Sequence, residues 1–314
     1  MPDPELAIAL ALVRNARGDT LIGRRATDSH QGGKLEFPGG KVKSGETSAA
    51  AMVRELREET GLVASEYRPL ISLPHHYVAD NLRLRLDCFL VSDWRIIDDR
   101  LLQDWHWQPG QALDPARFPA ANAGIIGALK LPDEWMITAT LQTPPEQILS
   151  TCQRAIDSGV RMICLRDPQL SPPDYQRIAA QLLPSLQNSG CEVILNCPAD
   201  LPIVQQADGL HLTSERLMAA SDRPLSESRW CSAACHNSAE LQRAAELGLD
   251  FVTLSPVQQT RTHPEVSPMG WDRFATLVAP VPLPVYALGG MSRSDKDRAQ
   301  RAGAQGVAGI TLFL

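Results

Sequence analysis

No stretch of this chain stays apolar for the roughly 20 residues that a bilayer-spanning helix needs. Aromatic residues are scarce, at 5% of the total. Runs of lysine and arginine are missing too: 30 basic residues are outnumbered by 36 acidic ones, for a net charge of −6. A polynucleotide partner calls for a basic footprint along its phosphates, so none is expected. A small phosphorylated metabolite stays open, because a metal ion and a few local cations suffice to hold one. The seven cysteines (Cys88, Cys152, Cys164, Cys191, Cys197, Cys231 and Cys235) contain no Cys-x-x-Cys pair. Their odd number, with no secretory leader, points to reduced thiols and a cytoplasmic location. Cys231, Cys235 and His236 lack a second ligand pair at zinc-finger spacing, so buried strand thiols are the better explanation. What the chain does have is apolar mass. With 44% hydrophobic and 21% charged residues over 314 positions, it can build two soluble domains of ordinary size.

The stretch around which the rest is organised runs from Gly40 to Leu62. Thr47 to Thr60 holds neither glycine nor proline and is rich in Ala, Glu, Arg and Leu, which predicts a helix. Gly61 then takes the left-handed cap position. On such a helix Glu55, Glu58 and Glu59 are three and four residues apart and share one face. A solvated acidic face balanced by Arg54 and Arg57 is the plain alternative. The preceding loop argues against it, because Phe37-Pro38-Gly39-Gly40 and Gly45-Glu46 bring a fourth carboxylate to the helix start. Hard, oxygen-ligated Mg²⁺ resolves such crowding, since it takes one or two carboxylates together with substrate phosphate oxygens. Arg54 can grip a carboxylate with two hydrogen bonds and fix its angle. The spacing Gly40, Glu46, Arg54-Glu55-Leu56, Glu58-Glu59 and Gly61-Leu62 resembles the Nudix box at each of its defined positions.

Around the box, Ala7–Val13 reads as a buried strand, with a turn over Asn15–Asp19 closing a hairpin onto residues 20–25. Further strands are expected over Tyr67–Leu73, Leu82–Val91 and around Trp105-His106-Trp107, with a short helix over Ala121–Leu131. The Nudix resemblance implies the α/β/α sandwich of that family. Arg24-Arg25-Ala26, His30, Lys34 to Lys41, and Phe118-Pro119-x-Ala121-Asn122 extend the likeness to the MutT-type 8-oxo-dGTP diphosphatases. That likeness implies that Phe37 and Asn122 hold an oxidised purine, that Arg25 and His30 lie around the nucleotide, and that Lys41 lies near the phosphates. Each also has a plain reading: Phe37 as core, Asn122 as a helix cap, Arg25 as a solvated strand end.

The implied chemistry is attack of water on a phosphorus atom of a diphosphate linkage, assisted by Mg²⁺, or Mn²⁺ in its place. Glu55, Glu58 and Glu59 are the expected ligands, with a carbonyl of Gly39 or Gly40 completing the set. Glu46 supports them and Arg54 orients them. The family also uses an acidic residue beyond the box as metal ligand or base. The glutamate expected there is absent, so Asp98, Asp99 and Asp104 are the candidates.

From Leu131-Pro132-Asp133-Glu134 onward the pattern changes, which sets domains at 1–131 and 132–314. Short apolar runs alternate with helical stretches: Met136–Thr140, Met162–Arg166, Val193–Asn196, Gly209–Leu212, Trp230–Ala234, Phe251–Ser255, Val285–Leu288 and Gly306–Ile310. Eight such units predict a compact (β/α)₈ barrel, with a doubly wound open sheet as the alternative. The phrases Ile163 to Arg166, Leu195-Asn196, Ala207 to Leu212, Leu254 to Val257, Ala287 to Met291 and Ala302 to Ala308 resemble thiamine phosphate synthase and its TenI-type relatives. Arg166, Gly289-Gly290 and Gly309 fall where such barrels bind phosphate.

The catalytic positions depart from the family. The two metal aspartates of the synthases fall on Cys197 and Arg216, the lysine after strand two on Asp167-Pro168, and the downstream lysine on His263. The tautomerase histidine falls on Pro256. With the chain ending at Leu314, the last helix is expected to be nearly absent. A degenerate barrel binding a thiazole or pyrimidine phosphate is therefore expected, with His211, His236 and His263 as candidates for another activity. Three functions stay open: clearing of oxidised purine nucleoside triphosphates, hydrolysis of a thiamine-related diphosphate, and a Nudix enzyme gated by a ligand-binding barrel.

Overall fold

The computed structural model describes residues 5–260 and 265–310. The chain divides into two compact units, Met1–Leu131 and Pro132–Leu314.

The first unit is laid out by β1 (Leu6–Val13), whose two faces are both apolar. Ala9, Ala11 and Val13 face one core and Leu10 and Leu12 the other, as the two-residue period of a strand requires. Such a strand belongs at the centre of a sheet with a layer on each side. The elements that follow are β2 (Asp19–Arg24), β3 (Leu35–Glu36), β4 (Gly39–Lys41), α1 (Ser48–Thr60), β5 (Leu62–Tyr77), β6 (Leu82–Ile96), β7 (His106–Pro109) and α2 (Ala123–Lys130). Strand β1 pairs with β4 antiparallel and with β6 parallel, giving a mixed sheet of order β4-β1-β6-β5. Helix α1 covers the Ala9 side and α2 the Leu10 side. This is the α/β/α sandwich.

The hairpin expected between β1 and β2 is corrected. It closes only at the Arg14–Thr20 bridge. Past that point β2 leaves for a second sheet of order β3-β2-β7, because β1 already has a neighbour on each edge. Strand β5 also runs longer than its apolar centre suggests. Its two prolines are tolerated because β5 is an edge strand with irregular register near Pro69.

The second unit is a closed barrel of eight parallel strands: β8 (Glu134–Ile137), β9 (Met162–Arg166), β10 (Glu192–Asn196), β11 (Gly209–Leu212), β12 (Trp230–Cys235), β13 (Phe251–Leu254), β14 (Val285–Ala287) and β15 (Gly306–Gly309). The strands are short apolar runs buried on both faces, the signature of a parallel sheet. Helices α3 (Pro145–Asp157), α4 (Pro172–Asn188), α5 (Ser214–Ala219), α6 (Ser238–Glu246), α7 (Gly270–Val278) and α8 (Lys296–Arg301) connect them. Between β10 and β11 the connection is a single 3₁₀ turn, Pro202–Gln206. Trp135, His211, Phe251 and Tyr286 fill the barrel, their rings meeting mostly edge-on at 5.0–5.7 Å. The open-sheet alternative is excluded by the β15–β8 pairing that closes the ring.

Candidate active site

Helix α1 can present acids because its opposite face is committed to the core. Ala51, Met52, Leu56 and Thr60 are buried. The Thr47 side chain caps its start by accepting from the Ala50 N–H at 3.2 Å. Gly61, at φ 69°, ends it with an N–H bond to the Arg57 carbonyl. A Cβ there would stand 2.0 Å from the Asp98 carbonyl oxygen, so only glycine fits this cap.

Arg54 is the hub of the site. Its Nε and Nη2 donate to the two oxygens of Glu46, each at 2.9 Å. Its Nη1 donates to Glu55 at 2.6 Å and to Glu58 at 3.3 Å, and Nη2 reaches the Lys41 carbonyl at 3.2 Å. One guanidinium thus ties the loop acid to two helix acids. The Arg54 bonds hold the Glu46 carboxyl down to about 2, helped by the Lys43 N–H. Arg54 itself is pushed above its ordinary range by the same partners.

Glu59 is held separately, accepting from the Gly39 N–H at 2.9 Å. The residue as a whole is accessible to solvent, yet protein crowds its carboxylate and raises its pKa to about 7. The Gly39 N–H opposes that rise, while the Glu36 and Glu55 charges add to it.

The two glycines let the loop lie flat between β1 and the acids. A Cβ on Gly39 (φ 151°) would sit 2.2 Å from the Ala9 carbonyl oxygen. On Gly40 it would sit 2.5 Å from the Glu55 carboxyl carbon. The donors around this loop are all hard oxygens, and the carboxylates of Glu36 and Glu55 add their negative charge to that of Glu59. Both features suit Mg²⁺ or Mn²⁺. Among the described residues no three His, Cys, Asp or Glu side chains are already gathered as a metal cluster; Arg54 and the Gly39 N–H hold the acids instead. The residues fit the ion in their chemistry and share one face, but they do not close around a single point.

Each residue expected around a nucleotide has its own partners in this unit. Phe37 is 2% exposed and stacks on Phe118 at 5.0 Å, so it forms part of the core. Asn122 is buried at the start of α2 but gives that helix no side-chain cap, which removes its plain reading. Arg25 pairs with Glu36 at 2.9 Å and donates to the His30 carbonyl. The His30 ring lies 3.1 Å from Asp80 and edge-on to Tyr77. Lys41 is exposed at the end of β4. Of the acids beyond the box, Asp98 is gripped by Arg100 at 2.9 and 2.8 Å and held below its usual range, while Asp99 and Asp104 are exposed.

Comparison with known families follows this division of the chain. The NUDIX domain model matches residues 4–126 and the thiamine monophosphate synthase model residues 135–313. The chain belongs to both families. Its Nudix unit is 35% identical over 133 residues to the 8-oxo-dGTP diphosphatase of Escherichia coli, covering 40% of this chain and 97% of that protein. The synthase-like unit is 30% identical over 182 residues to a putative thiamine-phosphate synthase of Geobacter sulfurreducens, covering 57% of this chain and 85% of the relative. A similar protein of Aquifex aeolicus is 29% identical over 169 residues, covering 54% and 91%. Among solved structures, thiamine phosphate pyrophosphorylase of Pyrococcus furiosus matches with a TM-score of 0.48 at 19% identity, over 57% of this chain and 85% of that one. Among the described residues no helix is long and apolar enough to cross a membrane.

Three groups near the Nudix site were not singled out by sequence. Glu36 pairs with Arg25, and burial raises its pKa against that pairing. Tyr77 and Asp80 flank His30 from the far end of β5. Only Glu36 had a signal, as a charge inside an apolar run leading into the glycine turn.

All seven cysteines are free and buried, Cys88 in the Nudix unit and the other six in the synthase-like unit. His211 is sealed inside the barrel, where burial lowers its pKa to about 3. It is therefore neutral at ordinary pH and ill suited to proton transfer. His236 lies 2.9 Å from the Ser255 carbonyl oxygen through Nδ1, and His263 falls outside the described residues. Arg166 ends β9 and Gly309 ends β15. Gly289 and Gly290 follow β14, where a Cβ would strike Pro256 at 2.8 Å and the Gln259 carbonyl at 2.5 Å. Close packing against the β13 loop therefore accounts for both glycines.

Proposed function

We propose that the Nudix unit is a Mg²⁺-dependent nucleoside triphosphate diphosphatase acting on oxidised purine nucleotides such as 8-oxo-dGTP, releasing the monophosphate and pyrophosphate. The observation that carries this reading is the Arg54-centred assembly, which gathers Glu46, Glu55 and Glu58 on one guanidinium beside the Gly39-Gly40 turn. Glu55, Glu58, Glu59 and a carbonyl of Gly39 or Gly40 would hold the ion. A magnesium ion held there would supply charge neutralisation at the phosphates and a lowered pKa for a water molecule. Arg54 fixes the angle of the helix carboxylates, and Glu46 fixes Arg54 in turn. Removal of a proton from the attacking water needs a further carboxylate that the ion does not occupy. Asp98 suits that task poorly, since Arg100 keeps it ionised and occupied.

Purine recognition falls to Asn122, whose amide is not spent on a helix cap, with Phe37 and Phe118 as the apolar wall beside it. Steady-state hydrolysis of 8-oxo-dGTP, dGTP and thiamine diphosphate by the full chain, with and without Mg²⁺, tests the reading. Preferential turnover of 8-oxo-dGTP is expected. Preferential turnover of thiamine diphosphate would transfer the activity to the other substrate class.

A further inference from the structure

Asn122 can read a purine only if the backbone that carries it stays in place, and its own segment does little to hold it. Residues Ala120–Asn122 form a single 3₁₀ turn entered through Pro119, with no side-chain cap at its start. The first N–H groups of such a turn have no partner inside it. A proline at the cap position brings no side-chain oxygen to supply one. Ala121 is only 6% exposed, so its N–H would be destabilising if left unpaired.

The partner comes from 44 residues earlier in the chain. The Tyr77 hydroxyl, at the far end of β5, accepts from the Ala121 N–H at 3.3 Å. His75 and His30 hold the tyrosine ring edge-on, at 4.4 and 4.9 Å, and His30 is itself fixed by Asp80 at 3.1 Å. The ring also packs against the core that contains Phe37, Phe118 and Ala121. At the other end of the segment, Lys34 Nζ donates to the Phe118 carbonyl at 3.2 Å. Residues 118–122 are thus pinned twice, and the tyrosine pin is the one beside Asn122. A phenylalanine at position 77 would keep every ring contact. Packing does not call for the hydroxyl; the bond to Ala121 does.

We propose that Tyr77 is a positioning residue for purine recognition: its hydroxyl caps the turn at Ala121 and so sets the angle at which the Asn122 amide meets the base. Tyr77 acts through Asn122, so its role rests on purine recognition by that amide.

Steady-state hydrolysis of 8-oxo-dGTP and dGTP by the full chain tests it, in a double-mutant cycle of Tyr77→Phe and Asn122→Ala. Tyr77→Phe removes one hydrogen bond, so kcat/KM for 8-oxo-dGTP should fall about three- to tenfold relative to that for dGTP. The loss should lie in KM rather than in kcat. In the Asn122→Ala background the same substitution should leave the ratio unmoved, because the amide it orients is gone. A tyrosine that only supported the fold would lower Tm and slow both nucleotides alike in either background, and that result overturns the proposal. A native chain without preference for 8-oxo-dGTP overturns purine recognition by Asn122 and the role of Tyr77 together. A native preference that survives Tyr77→Phe overturns the role of Tyr77 alone. Backbone amide exchange gives a readout apart from activity: the Ala121 N–H should be protected in the native chain and exchange faster in Tyr77→Phe. Equal rates count against the proposal, and an unprotected Ala121 amide in the native chain does so without any variant.

Discussion

Replacing Gly40 by alanine separates the catalytic loop from the fold that carries it. The added Cβ would lie 2.5 Å from Glu55 Cδ, 2.6 Å from Oε1 and 2.8 Å from Oε2. Ordinary carbon–carbon contact begins near 3.5 Å, so the carboxylate must retreat by about 1 Å. Gly40 is not held at positive φ, and every atom struck belongs to the end of a flexible side chain. The fold should therefore absorb the change within about 1 kcal/mol. The retreat breaks the 2.6 Å bond to Arg54 and displaces a carboxylate expected to hold the metal. A misplacement of that size costs on the order of 10²-fold in rate, or about 2.7 kcal/mol of transition-state stabilisation. Pyrophosphate release from 8-oxo-dGTP gives kcat/KM, and a thermal melt gives stability. A Gly40→Ala chain with native Tm and native kcat/KM would refute the idea that Glu55 must rest against this glycine. Gly39→Ala supplies the contrast. Its Cβ meets the Ala9 backbone at 2.2 Å with φ at 151°, so it should lower Tm sharply along with activity.

Glu58→Gln should cut turnover by about 10²-fold or more with Tm intact; near-native turnover in a folded variant would remove Glu58 from the ion's ligands. Asn122→Ala should lower kcat/KM for 8-oxo-dGTP more than for dGTP, and equal losses for both would take its amide out of purine recognition. In EDTA, the Glu59 pKa of about 7 lies above its ordinary 4.5, so its protonated form favours the folded state. That stabilisation is complete below pH 4.5 and is lost as pH rises through about 7. The native chain should thus lose Tm between pH 5 and 8 relative to Glu59→Gln, modestly, because solvent reaches the side chain. Parallel pH profiles would count against the crowded carboxylate. Glu46 has the opposite sign. Its stabilising pairing with Arg54 is present above its ordinary value and lost as pH falls through about 2, so Glu46→Gln should remove part of the acid-induced loss of Tm.

Local chemistry made much of this legible in the sequence. The helix at Ser48–Thr60 was bounded by its composition and by Gly61, since a cap depends on a few adjacent residues. The barrel strands were readable because burial on both faces leaves short, uninterrupted apolar runs between helices. What depended on distant partners was hidden. The apolar run of β1 gave no sign that β6 and β4 would take both of its edges and send β2 to another sheet. The outer ends of β5 are half-exposed and carry charge, so only its apolar centre stood out. At the Nudix site, the shared face of Glu55, Glu58 and Glu59 followed from helical spacing alone. The division of labour, with Arg54 taking Glu46 and Glu55 while Gly39 takes Glu59, depends on how the loop meets the helix. The pairing of Arg25 with Glu36 and of His30 with Asp80 likewise joins segments 11 and 50 residues apart.

The most direct test of the account is product analysis, by anion exchange, of 8-oxo-dGTP incubated with the purified full chain in Mg²⁺ and in EDTA. Equal amounts of the nucleoside monophosphate and pyrophosphate in Mg²⁺, and neither in EDTA, are expected. Intact triphosphate under both conditions, or undiminished cleavage in EDTA, would contradict the claim that the α1 acids hold a metal ion against a phosphoanhydride.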